Sequence, residues 1–372
     1  MLTNNSIKKI TQHVHTLCIQ WQDDDKSTYH YIWLRDNDQR TQISIGQQSN
    51  DTFNIPLTIQ PVDISIGNDL KILWSDQHIS HIDFAWLRKN SYSSLQKGMK
   101  HLAPKLWLSD HFTQESMHFS YPSLCNDNVI MREMLQHLQD YGFAVLDRVP
   151  VKNAMVMEVL KLFGYPIETH HNKMWEIKVI SNSEDLGDTN KTLPGHIDQP
   201  YRHSAPTMTL LHVLSNNTSG GESTLVDGFA LAEALRKDHP AAFKLLSSTP
   251  VTYRYHDEQT VLQHESTIIQ LNARDEVVQV RMNPFSIQPF YTAPEHMLDF
   301  YAAYQTLGQM MESDTYKLTM KLAAGHLLIM DNTRILHGRL GYDSAEGERL
   351  LQGCFSKQED FWSKLAVLKR SS

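Results

Sequence analysis

The 372-residue sequence predicts a mainly β protein, a jelly roll or β-sandwich with flanking helices, preceded by a small β-rich domain. Three observations lead there. Short alternating or continuous apolar runs bounded by turn residues dominate the stretches that carry candidate motifs. No regular alternation of strand and helix appears, which argues against a doubly wound parallel sheet. The helical periodicities are few and flank the strands, as in a sandwich covered from outside.

The elements follow in order. Residues 1–92 read as a small β-rich domain of strands and turns: His13 to Trp21 alternates, Asp23-Asp24-Asp25 makes a turn, and Tyr29 to Leu34 continues as a second strand. Lys71 to Trp74 followed by Ser75-Asp76 repeats the pattern. Trp33-Leu34-Arg35-Asp36-Asn37 is echoed by Trp86-Leu87-Arg88-Lys89-Asn90, which we read as two strand-to-turn exits with a buried tryptophan. Residues 93–125, rich in Ser, Lys, Gln and His, are expected to form a surface connector, and 126–372 the main domain. There a helix starts near Asn126, with Val129, Met131, Met134, Leu135 and Leu138 at helical spacing, and stops at Tyr141-Gly142. A buried strand at 143–146 and a helix around Ala154 to Leu162 come next. Further strands are expected at Thr207–Val213, Thr224–Val226, Val277–Val280, Leu327–Met330 and Leu350–Phe355, with helices at Phe229–Lys237 and Pro294–Met311.

Composition removes several classes of function. Hydrophobic residues make up 41 % and charged residues 20 %, ordinary for a globular protein. A net charge of −8 without a basic cluster argues against nucleic-acid and anionic-membrane partners. No 18-residue apolar run and no secretory core are present, so neither a membrane span nor export is expected. Cys18, Cys125 and Cys354 are too scattered for a disulfide framework, which fits a reducing, cytoplasmic location.

The chemistry-bearing pattern begins at Gly195-His196-Ile197-Asp198-Gln199-Pro200. Residues i and i+2 of an extended segment share a side, so His196 and Asp198 can bind one ion from a strand end while Ile197 faces away. Asp331-Asn332-Thr333-Arg334-Ile335-Leu336-His337-Gly338-Arg339 supplies a further imidazole, His337, after an apolar strand. Two histidines and one carboxylate leave positions open on iron(II), although zinc accepts the same ligands. Arg349 follows 12 residues after His337 and opens an apolar strand. A guanidinium there needs an anion: the distal carboxylate of 2-oxoglutarate, or else Glu346 or Glu348 in a local salt bridge. Ser223 or Thr224, in Gly220-Gly221-Glu222-Ser223-Thr224, can add a hydroxyl to that carboxylate, and Arg339 joins the cofactor-binding set.

In this order the motifs resemble the γ-butyrobetaine and trimethyllysine hydroxylases of the wider TauD-like family. The resemblance runs through Trp33 to Asn37, Gly220 to Ser223, Val226 to Phe229, Leu245 to Ser248, Asp331 to Arg339, and Leu351 to Cys354. It implies a double-stranded β-helix behind a small N-terminal domain, iron on His196, Asp198 and His337, and 2-oxoglutarate salt-bridged by Arg349. It also implies O₂ as co-substrate, ascorbate as a stimulant, and a homodimer.

The sequence departs from the family in two places. Cysteines that bind zinc after the Trp-Leu-Arg-Asp-Asn motif in eukaryotic members are replaced by Asp38 to Ile43, leaving His78 alone, so no structural zinc is expected. The aromatic cage that holds a trimethylammonium group keeps Trp175, but its other positions fall on His171, Asp188, Gln199 and Phe355. Arg281 and Asn283 lie where the family contacts the substrate carboxylate. The expected activity is hydroxylation of an unactivated C–H bond in a small amine-, betaine- or amino-acid-like molecule. The competing readings are the same machinery acting on a phosphonate or natural-product intermediate by hydroxylation, desaturation or cyclisation, and a jelly-roll protein that binds metal or ligand without turnover.

Overall fold

The computed structural model describes residues 6–41, 47, 49, 52–95, 104–178, 189–343, 345 and 347–370. Contacts divide the chain into two units, 1–103 and 104–372. Among the described residues no helix is long and apolar enough to cross a membrane.

In the first unit, β1 (Ile7–Gln12), β2 (Thr16–Trp21) and β3 (Lys26–His30) form an antiparallel meander followed by a helix at Tyr31–Asp36. β4 (Pro61–Ile66), β5 (Leu70–Trp74) and β6 (Ile79–Ile82) do the same ahead of a helix at Phe84–Lys89. The two halves match at an offset of 53 residues (74 − 21 = 53). Leu17, Ile19, Trp21, Tyr29 and Leu34 in one half and Leu70, Ile72, Trp74, Ile82 and Leu87 in the other are all buried in one core. Trp21 Nε1 donates to Ser27 Oγ at 3.0 Å, and Trp74 Nε1 donates to Ser80 Oγ at 2.9 Å. Asp24 and Gln77, three residues after these tryptophans, both take φ 66° to turn the chain. Arg35 reaches Asp76 at 2.9 Å, and its counterpart Arg88 reaches Asp23, the counterpart of Asp76. Such reciprocity is that of a two-fold interface.

The Trp-Leu-Arg echo is therefore a real repeat, but its local structure differs from expectation. Trp33 and Leu34 are helical, and Trp33 and Trp86 are only partly buried, with their rings 5.8 Å apart. Tyr31 and Leu34 on one face of that single helical turn fill the core instead, a 3.6-residue pattern too short to separate from alternation in the sequence. Asp38 is fully buried, and its carboxylate lies 2.7 Å from His78 Nε2. Burial works to raise its pKa, but His78 and Arg40 hold it below the usual range.

Two sheets carry the second unit. One is six-stranded, in the order β7 (His118–Ser120), β8 (Phe143–Asp147), β19 (Leu327–Asp331), β11 (Met208–Asn216), β21 (Arg349–Ser356) and β9 (Trp175–Ile177). The other is four-stranded, in the order β10 (Leu193–His196), β20 (Ile335–Arg339), β12 (Ser223–Asp227) and β18 (Leu318–Met320). One core joins residues of both: Phe143, Val145, Val213, Leu328, Met330 and Leu351 from the larger sheet, Leu225, Leu318 and Ile335 from the smaller. This is the expected jelly roll. A second core packs the larger sheet against the helices Asn128–Tyr141, Met155–Leu160 and Gln358–Arg370. A third packs Val226 and Leu336 of the smaller sheet against the helices Gly228–Asp238, Pro240–Ser248 and Met297–Glu312. Five short strands accompany this layer: β13 (Val251–His256), β14 (Val261–Ser266) and β17 (Ile287–Gln288) form one sheet, and β15 (Ile269–Leu271) and β16 (Val277–Val280) form a separate pair.

The Asn128–Tyr141 helix shows how the sequence sets local structure. Asp127 caps it by accepting from Val129 N at 2.7 Å, Met131, Met134, Leu135 and Leu138 bury one stripe, and Gly142 ends it at φ 83°. Val129 itself is exposed. The stretch 104–125, expected to run over the surface, is instead part of this unit. β7 pairs in parallel with β8, and Trp107, Met117 and Leu124 are buried. Its polar composition hides three apolar anchors spaced too irregularly to give a period.

At the centre, Arg334 and Asp227 form an ion pair that is almost fully buried, with Nη2 to Oδ2 at 2.7 Å and Nε to Oδ1 at 2.9 Å. Arg334 also donates to the Asp140 and Lys105 carbonyls, while Asp227 caps the Gly228–Asp238 helix and accepts from Trp107 N. Both carboxylate oxygens and all three guanidinium nitrogens are hydrogen-bonded, the condition under which a buried pair holds. It fixes the loop between β19 and β20, and with it the strand that carries His337.

Candidate metal and co-substrate site

β10 and β20 are antiparallel neighbours, and His196 lies directly across from His337, with ring centroids 4.4 Å apart. Asp198 follows two residues beyond the end of β10. Its Oδ1 is 3.7 Å from His196 Nε2 and 3.5 Å from His337 Nε2. One ligand atom from each of the three lies within 4.8 Å of the others. Ile197 between them is fully buried in the third core, as the alternation requires.

The protonation pattern suits a cation. His196 Nδ1 donates to the Pro194 carbonyl at 3.0 Å, which leaves the Nε2 lone pair facing the cluster. Burial would raise the Asp198 pKa, yet the two imidazoles and Thr209 bring it down to about 2, so the carboxylate is ionised at neutral pH. Two imidazoles and a carboxylate, with no other ligand gathered among the described residues, match a facial set with open positions. The residues present therefore fit a divalent metal.

The co-substrate candidates lie on β12 and β20 of the same sheet and, for Arg349, on β21 of the larger sheet. On β12, Ser223 and Thr224 stand across from Arg339 and Gly338. A Cβ at Gly338 would come within 2.7 Å of Thr224 Oγ1, so only glycine permits that approach. Arg349 starts β21 beside Gly221, 7 % exposed, with the Tyr342 ring 5.6 Å from its guanidinium. Its buried Nε and Nη1 have no hydrogen-bond partner, and no ion pair joins it to another described residue, Glu348 included. Glu346 is outside the described residues. Burial, and then the neighbouring Arg339, pull the Arg349 pKa from 12.5 to about 10. A buried, partly unpaired cation beside a second cation suits an anion. Arg349, Tyr342, Lys178 and Glu176 border a cavity of about 510 Å³. Arg339 directs Nη2 to the Thr189 and Lys191 carbonyls at 2.6 and 2.8 Å, holding the chain that leads into β10.

Of the expected substrate residues, Trp175 and Phe355 come together, with ring centroids 4.0 Å apart. Trp175 lies so flat on β21 that a Cβ at Gly353 would be 2.7 Å from its ring. His171 sits in the turn bridged by Thr169 and Asn172, its ring 4.0 Å from His170. Gln199 contacts Thr169 at 3.4 Å and accepts from Arg202 Nε at 2.5 Å, while its backbone takes φ 51°. Asp188 lies outside the described residues.

Arg281 and Asn283 are placed otherwise than expected. Arg281 Nη1 donates to the Pro200 and Arg202 carbonyls at 2.7 and 2.9 Å, and Nη2 to Gln279. Asn283 Nδ2 donates to the Ile197 carbonyl at 2.9 Å, and its Oδ1 accepts from Phe285 N and Ser286 Oγ. Both brace the metal-binding segment from behind. Sequence reasoning also missed Phe285, 5.8 Å from His196 ring to ring, together with Thr209 and Asn332 around Asp198. Asn332 stood in the recognised motif, but nothing in a single sequence joins it to a residue 134 positions earlier.

The comparisons agree with this geometry. The family described as "Taurine catabolism dioxygenase TauD, TfdA family" matches residues 100–355, and "Gamma-butyrobetaine hydroxylase-like, N-terminal" matches 8–88. A gamma-butyrobetaine dioxygenase of Pseudomonas sp. is 31 % identical over 362 residues, covering 95 % of this chain and 93 % of that one. The human gamma-butyrobetaine dioxygenase is 27 % identical, covering 96 % and 95 %. A trimethyllysine dioxygenase of Meyerozyma guilliermondii is 26 % identical, covering 98 % and 96 %. With a family match over most of its length and relatives aligned almost end to end, the chain belongs to the TauD/TfdA family and is a 2-oxoglutarate-dependent dioxygenase with a gamma-butyrobetaine-hydroxylase-like N-terminal unit.

Proposed function

We propose that His196, Asp198 and His337 hold iron(II), that Arg349 binds the distal carboxylate of 2-oxoglutarate with help from Ser223 or Thr224, and that the enzyme hydroxylates a small amine- or betaine-like substrate. The observation that carries this is the convergence of three candidate metal-ligating atoms in a protein that also holds, at the start of β21, a buried guanidinium whose Nε and Nη1 are unpaired. Iron bound there supplies the oxidising chemistry, with O₂ consumed and 2-oxoglutarate converted to succinate and CO₂. The chain's part is placement. His196 is oriented by Pro194, the smaller sheet sets the two imidazoles side by side, and Arg349 fixes one end of the diacid. Tyr342 shields that guanidinium from water on one face, which strengthens its pairing with a carboxylate.

Trp175 and Phe355, tilted against each other, offer an apolar wall suited to an alkylammonium group, and His171 and Gln199 add hydrogen-bonding groups. The relatives' named substrates, gamma-butyrobetaine and trimethyllysine, set the first compounds to try. We place the enzyme in the cytoplasm as a homodimer: the three cysteines are free thiols, which suits a reducing compartment, and the resemblance supports self-association. The test is succinate formation and O₂ uptake by purified protein with iron(II), ascorbate and 2-oxoglutarate, across those two compounds and their unmethylated amines. Substrate-dependent succinate is expected. Succinate formation that no amine accelerates would refute the amine- or betaine-like substrate class.

A further inference from the structure

The Asp198 carboxylate has two oxygens in unlike surroundings. Oδ1 faces both imidazoles, while Oδ2 accepts from Thr209 Oγ1 at 3.1 Å. Thr209 is fully buried on β11, paired in register with Met330 on one side and Phe355 on the other, so its hydroxyl has little freedom to move away. The Asp198 backbone is held separately. Asn332 Oδ1 accepts from Asp198 N at 2.8 Å, and Asn332 Nδ2 donates to the carbonyls of Asp198 at 3.1 Å and Pro206 at 2.8 Å. Asn332 N in turn donates to the Thr207 carbonyl. Asn332 is 1 % exposed and lies in the loop that leads into β20, so one amide ties the Asp198 segment to the strand of His337.

We propose that Thr209 and Asn332 are positioning residues which hold Asp198 as a one-oxygen ligand, Thr209 by anchoring the oxygen turned away from the metal and Asn332 by fixing the backbone. The inference rests on the metal-site reading above. Without the Thr209 hydroxyl, Oδ2 loses its side-chain donor, and the carboxylate turns about its Cβ–Cγ bond to find another. The oxygen aimed at the imidazoles then loses its place, and affinity for metal falls. Outer partners of metal ligands contribute about 10–100-fold to affinity.

Cobalt(II) titration of the full-length protein tests this, read by visible d–d absorption and by competition with a chelator. Thr209→Val keeps the shape of the side chain and removes the donor, whereas Thr209→Ser keeps the donor. We expect Thr209→Val to weaken cobalt binding by about 10–100-fold and alter the absorption envelope, with Thr209→Ser close to wild type. Asn332→Ala should weaken binding also; if it fails to fold, the threonine pair still decides. Folded Thr209→Val with wild-type affinity and spectrum would overturn the proposal, as would Thr209→Ser impaired to the same degree as Thr209→Val. Failure of the wild type itself to bind cobalt, or binding unaffected by Asp198→Ala, would instead refute the metal-site reading.

Discussion

Replacing Arg349 with methionine should make the protein without co-substrate more stable while removing its grip on 2-oxoglutarate. The guanidinium is buried beside Arg339, and its pKa falls from 12.5 to about 10. At 1.36 kcal/mol per pKa unit, the charged form is disfavoured in the fold by about 3 kcal/mol, a ceiling on what a neutral side chain of similar length recovers. Binding moves the other way. Two charge-assisted hydrogen bonds contribute about 1.5–3 kcal/mol each, so losing both weakens 2-oxoglutarate by about 10²–10⁴-fold. Thermal melting with and without 2-oxoglutarate reads both effects, and calorimetric titration gives the affinity. Arg349→Met should melt several degrees above wild type in the absence of ligand and show no ligand-induced rise. A variant that melts lower without ligand, or binds 2-oxoglutarate within threefold of wild type, would refute the assignment of Arg349 as an anion site held open.

Three further outcomes are expected. Arg334→Met leaves Asp227 as a buried carboxylate without its cation, and urea denaturation should show a loss of about 3–5 kcal/mol. His212 is fully buried with neither ring nitrogen bonded, and burial lowers its pKa from 6.5 to about 4. His212→Leu should therefore be more stable than wild type. Below pH 6.5 the unfolded chain takes up a proton that the fold resists, so wild-type stability falls relative to the variant by about 1.4 kcal/mol per pH unit down to about pH 4. A difference that stays flat between pH 7 and 5 in paired denaturation curves would show that the ring is not held neutral. Gly353→Ala puts a methyl 2.7 Å from the Trp175 ring and should push that ring off Phe355. The expected result is a raised substrate KM and altered tryptophan fluorescence, with 2-oxoglutarate affinity unchanged.

The grouping of His196, Asp198 and His337 and the strands that carry it are legible because each signal is local. His196 and Asp198 obey the two-residue alternation, and the strands expected at 207–213, 327–330 and 350–355 end within three residues of those observed. What the sequence hides is of another kind. Arg281 and Asn283 look like substrate contacts because a single sequence shows an arginine and an amide near a strand. Arg281 Nη1 and Asn283 Nδ2 donate to main-chain carbonyls about 80 residues upstream, partners that only the fold reveals, while the buried Arg281 Nε has none. The helix at Tyr31–Asp36 was taken for strand because one turn is too short to show a period. Trp107, Met117 and Leu124 were lost in polar surroundings because burial there depends on a parallel pairing with β8 that no local pattern announces.

The 53-residue correspondence within the first unit also bears on how that unit melts. Each half has three short strands and one turn of helix, too little to cover the inner face of its own sheet. Every large side chain of the shared core, Trp21 and Trp74 above all, finds its cover in a layer to which both halves contribute. Neither half then has a free-energy minimum of its own. Damage to one is felt as the collapse of both, in a single transition.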